Sequence, residues 1–363
     1  MEFDIAVLPG DGIGPEVVAE ATKVLQAIGE KFGHAFHLHQ DLIGGAAIDA
    51  FGKALKKETF DMCRECDAIL FGAVGGPKWD DVQGKACANE GLFHLRKEFG
   101  LFANLRPVKV LPALINSTSL KPEIIEGVDL VIIRELIGGL YFGQPKKQWR
   151  TPEGRKVVDT LSYSETEIER VLRVGFELAR TRSGNLTSVD KSNVLHSSSL
   201  WRQIAIEISD EYPDVELRHL YVDACAMRLM RDPVNFDVLV MENTFGDILS
   251  DEASVLAGSM GMLPSASLSG MPKGRTFGLY EPVHGSDPER AGQNLDNPIA
   301  TILSAAMMLH YSMDLPAETR AIEDAIVRVL EEGYRTYDIM ERGKIEVGTI
   351  EMGDLIVQNI RSS

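Results

Sequence analysis

Short runs of core-type residues alternate along this chain with segments of helical spacing. Residues 236–241, Phe-Asp-Val-Leu-Val-Met, are too few for a helix and rich in β-branched side chains, so they read as a buried strand. Asn243 to Gly246 supply turn chemistry, and 247–254 follow with helical spacing. The same reasoning predicts strands over 4–8, 68–74, 128–133, 186–194 and 216–222, with helices ending near 28, over 89–100, over 165–182 and over 224–230. Residues 298–313 read as a buried helix. Strand and helix taking turns predicts an α/β protein. The segment 138–163, with Thr151-Pro152-Glu153-Gly154 as its turn, predicts a projecting hairpin. Its polar-apolar rhythm is too weak to stand alone, so it reads as an arm that clasps a second subunit.

Composition narrows the partners. A chain of 363 residues, 44% hydrophobic, can bury a large core and predicts two domains. A formal charge of −17 argues against nucleic acid and anionic membrane surfaces. It also means that any anionic substrate needs a local cluster of cations. Met1-Glu2-Phe3-Asp4 carries acids where a signal peptide needs lysines, and no run has membrane-spanning character, so a soluble cytoplasmic protein is expected. Cys63 and Cys66 have CxxC spacing, but no second pair or nearby histidine completes a zinc site, so reduced thiols are expected.

Several polar residues stand where apolar runs end. Asp247 and Asp251 are four apart and share one helix face. Two carboxylates at ~4 Å repel by ~4 kcal/mol at an effective dielectric of ~20, which a divalent cation would offset. The plainer alternative is a first turn that favours acids because of the helix dipole. Lys191 and Asp223 also follow predicted strands, and parallel strands bring their carboxyl ends to one edge. Arg96, Arg106 and Arg134 each flank the end of a helix or strand. One such arginine usually meets a structural carboxylate, whereas three together suit a dicarboxylate and answer the charge problem locally. Aspartates with a divalent cation bind hydroxyl and carboxylate oxygens. A lysine beside a cation can take a hydroxyl proton, and Tyr141 can return one to carbon. That set suits oxidation of a 2-hydroxy acid followed by loss of CO₂, which implies a nicotinamide hydride acceptor. The GxGxG spacing of Gly10, Gly12 and Gly14 is a weak dinucleotide signature, though it fits a tight turn that lets a ligand approach the backbone.

The motifs LPGDGIGPEV (8–17), LFANLRP (101–107), RELIGGLYFG (134–143), VDKSNVL (189–195), ENTFGDILSDEAS (242–254) and GMLPSASL (261–268) resemble those of the β-decarboxylating dehydrogenases of isopropylmalate and isocitrate. The resemblance spans nearly the whole chain. It implies a two-domain isocitrate/isopropylmalate dehydrogenase-like fold with a mixed, largely parallel sheet, not a Rossmann fold. Residues 1–105 with 259–363 would form the cofactor-side domain, and 106–258 the substrate, metal and dimerisation domain. It implies NAD-dependent oxidative decarboxylation of 3-isopropylmalate, as in leucine biosynthesis, with Mg²⁺ or Mn²⁺. By resemblance Arg96, Arg106 and Arg134 grip carboxylates, and Tyr141 and Lys191 form the acid–base pair. Asp223, Asp247 and Asp251 would hold the cation, Asp223 also facing substrate. Lys191 and one aspartate would come from the second chain of a homodimer. NAD would meet Ile13, Gly75, Gly76, Asn89, His284, Gly285, Ser286, Glu289, Asp296 and Asn297. Two positions depart from the family pattern at the cofactor. Glu289 stands where an aspartate usually binds the adenosine ribose, and Arg290 replaces an aliphatic neighbour. Leu92, Phe93 and Val194 would line an alkyl pocket, in which a third carboxylate is costly to bury. Asn89 replaces a usual glutamate and Phe93 a usual leucine, so another alkylmalate, isocitrate, homoisocitrate (through His94) or tartrate stays open. So does a non-catalytic regulatory subunit, although the full set Tyr141, Lys191, Asp223, Asp247 and Asp251 disfavours it.

Overall fold

The structure is a computed structural model and describes residues 1–79 and 87–362. The chain opens with β1 (Glu2–Gly10), α1 (Gly14–Phe32), β2 (Ala35–Gln40), α2 (Gly45–Phe51), α3 (Lys57–Glu65) and β3 (Ala68–Ala73). Next come α4 (Glu90–Glu98), β4 (Ala103–Lys109), α5 (Pro122–Ile125), β5 (Asp129–Glu135), and the ribbon β6 (Lys147–Thr151) and β7 (Gly154–Val158). The middle continues through α6 (Glu165–Arg180), β8 (Asn185–Asp190), α7 (His196–Ser209), β9 (Glu216–Tyr221), α8 (Val222–Arg231), β10 (Val238–Met241) and α9 (Asn243–Ser254). Last are β11 (Pro264–Leu268), β12 (Gly278–Pro282), α10 (Ile299–Tyr311), α11 (Pro316–Glu331), the short pair β13 (Tyr334–Arg335) and β14 (Ile345–Glu346), and α12 (Thr349–Ser362).

One ten-stranded sheet runs β2-β1-β3-β12-β11-β4-β5-β10-β8-β9. Its outer strands pair in parallel, while β12-β11, β11-β4 and β4-β5 are antiparallel. The expected mixed, largely parallel sheet is what forms. Strands β3, β10 and β11 are buried along their whole length, which is why they read as unbroken apolar or small-residue runs. Helices α6 and α7 cover one face of β5, β10, β8 and β9, and α8 and α9 the other. Each aliphatic side chain buried between these layers contributes roughly 1.5–3 kcal/mol. Helix α6 starts on a reciprocal cap between Ser164 and Glu167.

The predicted element types hold, with two shifts. The helix expected from 247 begins at Asn243, because the Glu242 carboxylate accepts from the Phe245 N–H at 2.9 Å and caps it. The predicted turn residues are therefore the first helical turn. The arm is shorter than 138–163: only β6 and β7 project, largely exposed, while Gly139–Tyr141 form a 3₁₀ turn that packs back toward α9. Among the described residues no helix is long and apolar enough to cross a membrane.

The glycine-rich loop after β1 is pinned by a side chain that the motif contains but periodicity cannot explain. Asp11, almost fully buried, accepts from the N–H groups of Gly45, Ala46 and Gly75 at 2.8, 2.7 and 2.9 Å. It ties three loops into one rim. Removing it strands two buried donors and a half-buried one, each costing about 1–3 kcal/mol less any water that enters. Asp11→Ala should lose about 2–4 kcal/mol of stability in urea unfolding; an unchanged midpoint would show that the rim is held by something else.

Candidate active site

The strand register gathers the guanidiniums. Asn104 and Arg106 are two apart on β4 and so share a face, and Arg134 on β5 is paired directly with Asn104. Arg106 donates from Nε to Asn104 Oδ1 at 2.7 Å and from Nη1 to Ser250 Oγ at 2.6 Å. Arg134 donates from Nε to Asn243 Oδ1 at 2.9 Å and from Nη1 to Asp247. Arg96, from α4, reaches Glu281 on β12 at 2.6 Å, and its Nε is buried without a partner. All three arginines are more than 90% buried. Burial lowers the proton affinity of Arg106 and Arg134, the latter to about 10, with neighbouring positive charge adding to the effect on both.

Helix α9 presents acids to this face. Asp247 pairs with Arg134 and lies 3.9 Å from Arg106, and Asp251 lies 3.4 Å from Arg106. The Tyr141 hydroxyl donates to the other Asp247 oxygen at 3.0 Å. Burial, then the Asp247 charge and that hydrogen bond, push Tyr141 upward and keep it a proton donor. Close approach depends on Gly246: a Cβ there would stand 2.6 Å from the Arg134 Cβ. Asp247 and Asp251 stay partly open to solvent, and burial, with Asp247 nearby, raises Asp251. Such a pair of hard oxygen donors fits a divalent cation.

The remaining predicted residues form a second group. Lys191, just past β8, donates to Asp223 Oδ1 at 2.7 Å across the ends of β8 and β9, and this contact lowers Asp223. Strands β5, β10, β8 and β9 are parallel neighbours, so their carboxyl ends do meet along one edge. Yet among the described residues no three His, Cys, Asp or Glu side chains are close enough to hold a metal. Within one chain Asp223 does not join Asp247 and Asp251. Val194 is exposed in the turn beside Lys191, and Phe93 is exposed on α4, edge-on to Phe142 at 5.8 Å. Leu92, read from sequence as a pocket lining, is 93% buried and packs with Ile43 and Leu95 in the core, because it takes the inward position of α4.

A cleft of about 390 Å³ is lined by Ile13, Met260, His284, Gly285, Asp287, Asp296, Asn297 and Tyr337 among others. His284 Nε2 and Asp296 Oδ2 are buried there without partners, and open space lies over Gly285. Unmet polar atoms beside open backbone fit a dinucleotide's hydroxyls and phosphates. Loop contact is tight: Gly12 has φ +58, and a Cβ would come within 1.8 Å of the Ser286 carbonyl. Ser286 is buried, donating to the Gly75 carbonyl at 2.9 Å, so it holds the loop and Gly75 together. Gly76 stands beside it with Trp79 and Pro288 close to its Cα, and Asn89 precedes the first turn of α4. Glu289 is exposed and is not among the cleft's lining residues.

A sequence model of the isocitrate/isopropylmalate dehydrogenase family matches residues 4–356. The chain belongs to this family. It is 58% identical over 363 residues to the 3-isopropylmalate dehydrogenase of Dehalococcoides mccartyi, covering 99% of this chain and 100% of that one. It is 54% identical over 359 residues to that of Aquifex aeolicus, covering 99% and 97%. Among solved structures, isocitrate dehydrogenase from Methylococcus capsulatus superposes with a TM-score of 0.87 at 34% identity, covering 99% of both chains. A β-decarboxylating dehydrogenase from Thermococcus kodakarensis gives 0.78 at 33%, covering 99% and 96%.

Beneath the family's acidic helix lies a network that sequence reasoning missed. The Tyr163 hydroxyl receives the Asn243 N–H at 3.0 Å and sits 3.1 Å from Glu135 and 3.3 Å from Glu242. It has one proton for two buried carboxylates. Burial pushes Glu135 up to about 7 and raises Glu242 as well. Glu135 and Glu242 lie within the quoted motifs, but nothing in their spacing tells that they converge; nor does it reveal Glu281, Asn104 or Ser250 as arginine partners.

Two outcomes follow from this burial. Glu281→Gln leaves Arg96 without a counter-charge, so stability should drop by about 2–4 kcal/mol; adding malate should then raise the melting temperature more than it does for the parent, and equal shifts would sink the idea. Glu135 titrates higher in the folded than in the unfolded state, so its contribution is complete below about pH 4.5 and fades as pH climbs to about 7. Glu135→Gln should therefore flatten the stability profile between pH 5 and 7.5 by about 2–3 kcal/mol, and an unaltered slope in urea titrations would contradict a buried acid here.

Proposed function

We propose that this chain oxidises and decarboxylates 3-isopropylmalate to 4-methyl-2-oxopentanoate and CO₂ with NAD and Mg²⁺ or Mn²⁺, in cytoplasmic leucine biosynthesis. The observation that carries this reading is the row of buried guanidiniums facing Asp247 and Asp251, together with relatives named for that activity at more than 50% identity. Arg96, Arg106 and Arg134 hold the substrate's two carboxylates. Lys191 takes the proton of the 2-hydroxyl as hydride leaves the same carbon. After CO₂ departs, the Tyr141 hydroxyl gives a proton to the carbon that lost it. Asp247, Asp251 and Asp223 would hold a cation whose charge would sit at the reacting oxygens, and a nicotinamide would supply the hydride acceptor. Ile13, Gly75, Gly76, Asn89, His284, Gly285, Ser286, Glu289, Asp296 and Asn297 surround that cofactor.

Substrate choice rests on apolar edges. Phe93 and Phe142 offer rings to an isopropyl group, and Val194 would add an aliphatic edge. His94, the candidate for a third carboxylate, packs on Phe60 at 5.4 Å instead. Each methyl or methylene buried contributes ~0.8 kcal/mol, whereas an unmatched carboxylate is costly.

Because Lys191 and Asp223 stand apart from Asp247 and Asp251, each site is read as shared across a homodimer. The exposed ribbon of β6 and β7 and the exposed apolar side chains Met227 and Ile248 on α8 and α9 supply surface for that pairing. The two lobes, 1–105 with 259–363 and 106–258, would close on the ligand.

Lys191→Ala should lose roughly 10³-fold in turnover and keep dinucleotide binding; parental turnover would end the acid–base assignment. Mixing that variant with Asp251→Asn chains should restore activity, since one heterodimer site recovers both residues. No recovery in verified heterodimers would mean that Lys191 and Asp251 serve from the same chain.

A further inference from the structure

Arg290 follows Glu289, the proposed acceptor of the adenosine ribose hydroxyls, and its position is what a phosphate on that ribose would meet. A guanidinium beside a ribose is the usual way to accept a 2′-phosphate. On sequence alone Arg290 therefore argues for NADP. Its surroundings argue otherwise. The guanidinium lies over the Tyr337 ring at 4.3 Å from its centroid, 3.6 Å from Asp287 and 3.8 Å from Asp296. Two carboxylates face one cation, so the trio is net negative.

We propose that Asp296, with Asp287, holds Arg290 as an internal counter-charge against Tyr337, and that Asp296 thereby makes the dinucleotide site select NAD over NADP. The proposal rests on the dehydrogenase reading above and goes beyond it by naming what neutralises Arg290. Asp296 is 95% buried, and its Oδ2 has no partner. Asp287 adopts φ +32, a backbone region that aspartate tolerates better than most residues, and its carbonyl accepts the Arg290 N–H at 3.1 Å. Asp338 adds negative charge in the same cleft. Burial and then Asp287 raise Asp296 to about 6, which still leaves it ionised at pH 8. A dianionic 2′-phosphate would meet this field before it met a free guanidinium, whereas a ribose diol meets only acceptors.

Calorimetric titration of the full-length protein with NAD and with NADP at pH 8 tests this without turnover. The parent should bind NAD more tightly. Asp296→Asn should raise the ratio of NADP to NAD affinity about tenfold. Arg290→Ala should weaken NADP further and, combined with Asp296→Asn, should cancel the gain. Asp287→Asn, at a more exposed position, should move NADP in the same direction if Asp296→Asn folds poorly. An unchanged NADP-to-NAD ratio in both acid variants overturns the proposal. So does tighter NADP binding by Arg290→Ala, or a ratio gain in Asp296→Asn that survives the added Arg290→Ala change. A parent protein that binds neither dinucleotide ends the functional reading, and this inference with it.

Discussion

Three guanidiniums are buried on one face of a sheet, and that single demand shapes the rest of the molecule. Removing an ion from water costs several kcal/mol even after relaxation, so each buried arginine needs a counter-charge or a set of acceptors. The chain meets most of the demand from distant segments, Glu281 for Arg96, Ser250 and Asp251 for Arg106, and Asp247 and Asn243 for Arg134, with Asn104, two residues away, also serving Arg106. Two of the acids that neutralise the arginines, Asp247 and Asp251, also keep oxygen atoms open to solvent.

Keeping that balance requires α9 to stay in register with β4 and β5. Gly246 lets the helix sit on the Arg134 stem, and Glu242 closes its first turn. Tyr163 ties Glu242 to Glu135, the residue after Arg134. Strand end and helix start are therefore fastened to each other just below the charged face. A shift of either would separate Arg134 from Asp247, so this buried acid network acts on the site through position and not through contact with ligand.

The antiparallel centre of the sheet has a consequence of its own. Strands β4 and β11 join two parallel groups, so Arg106 and Asn104 come from a strand that runs against its neighbours β5 and β11. A purely parallel sheet would gather only residues that follow strands, as Lys191, Asp223 and Asp247 do. Here mid-strand side chains meet residues from strand ends, and the cleft gains cations that a doubly wound sheet would not bring there.

The sequence by itself determined the α/β alternation, the helical spacing of Asp247 and Asp251, and the need for clustered cations in a chain of charge −17. These are local or compositional properties: apolar run length, periodicity and charge are written in neighbouring residues. Tertiary structure alone decided which charges meet. Glu281 lies 185 positions from Arg96 along the chain, Asp247 lies 113 from Arg134, and no periodicity encodes such pairings. It also buried Leu92 and set Arg290 beside two aspartates. The physical reason is the same throughout. A side chain's identity fixes the interaction it can make, and long-range packing fixes which partner is within reach and how much water lies between.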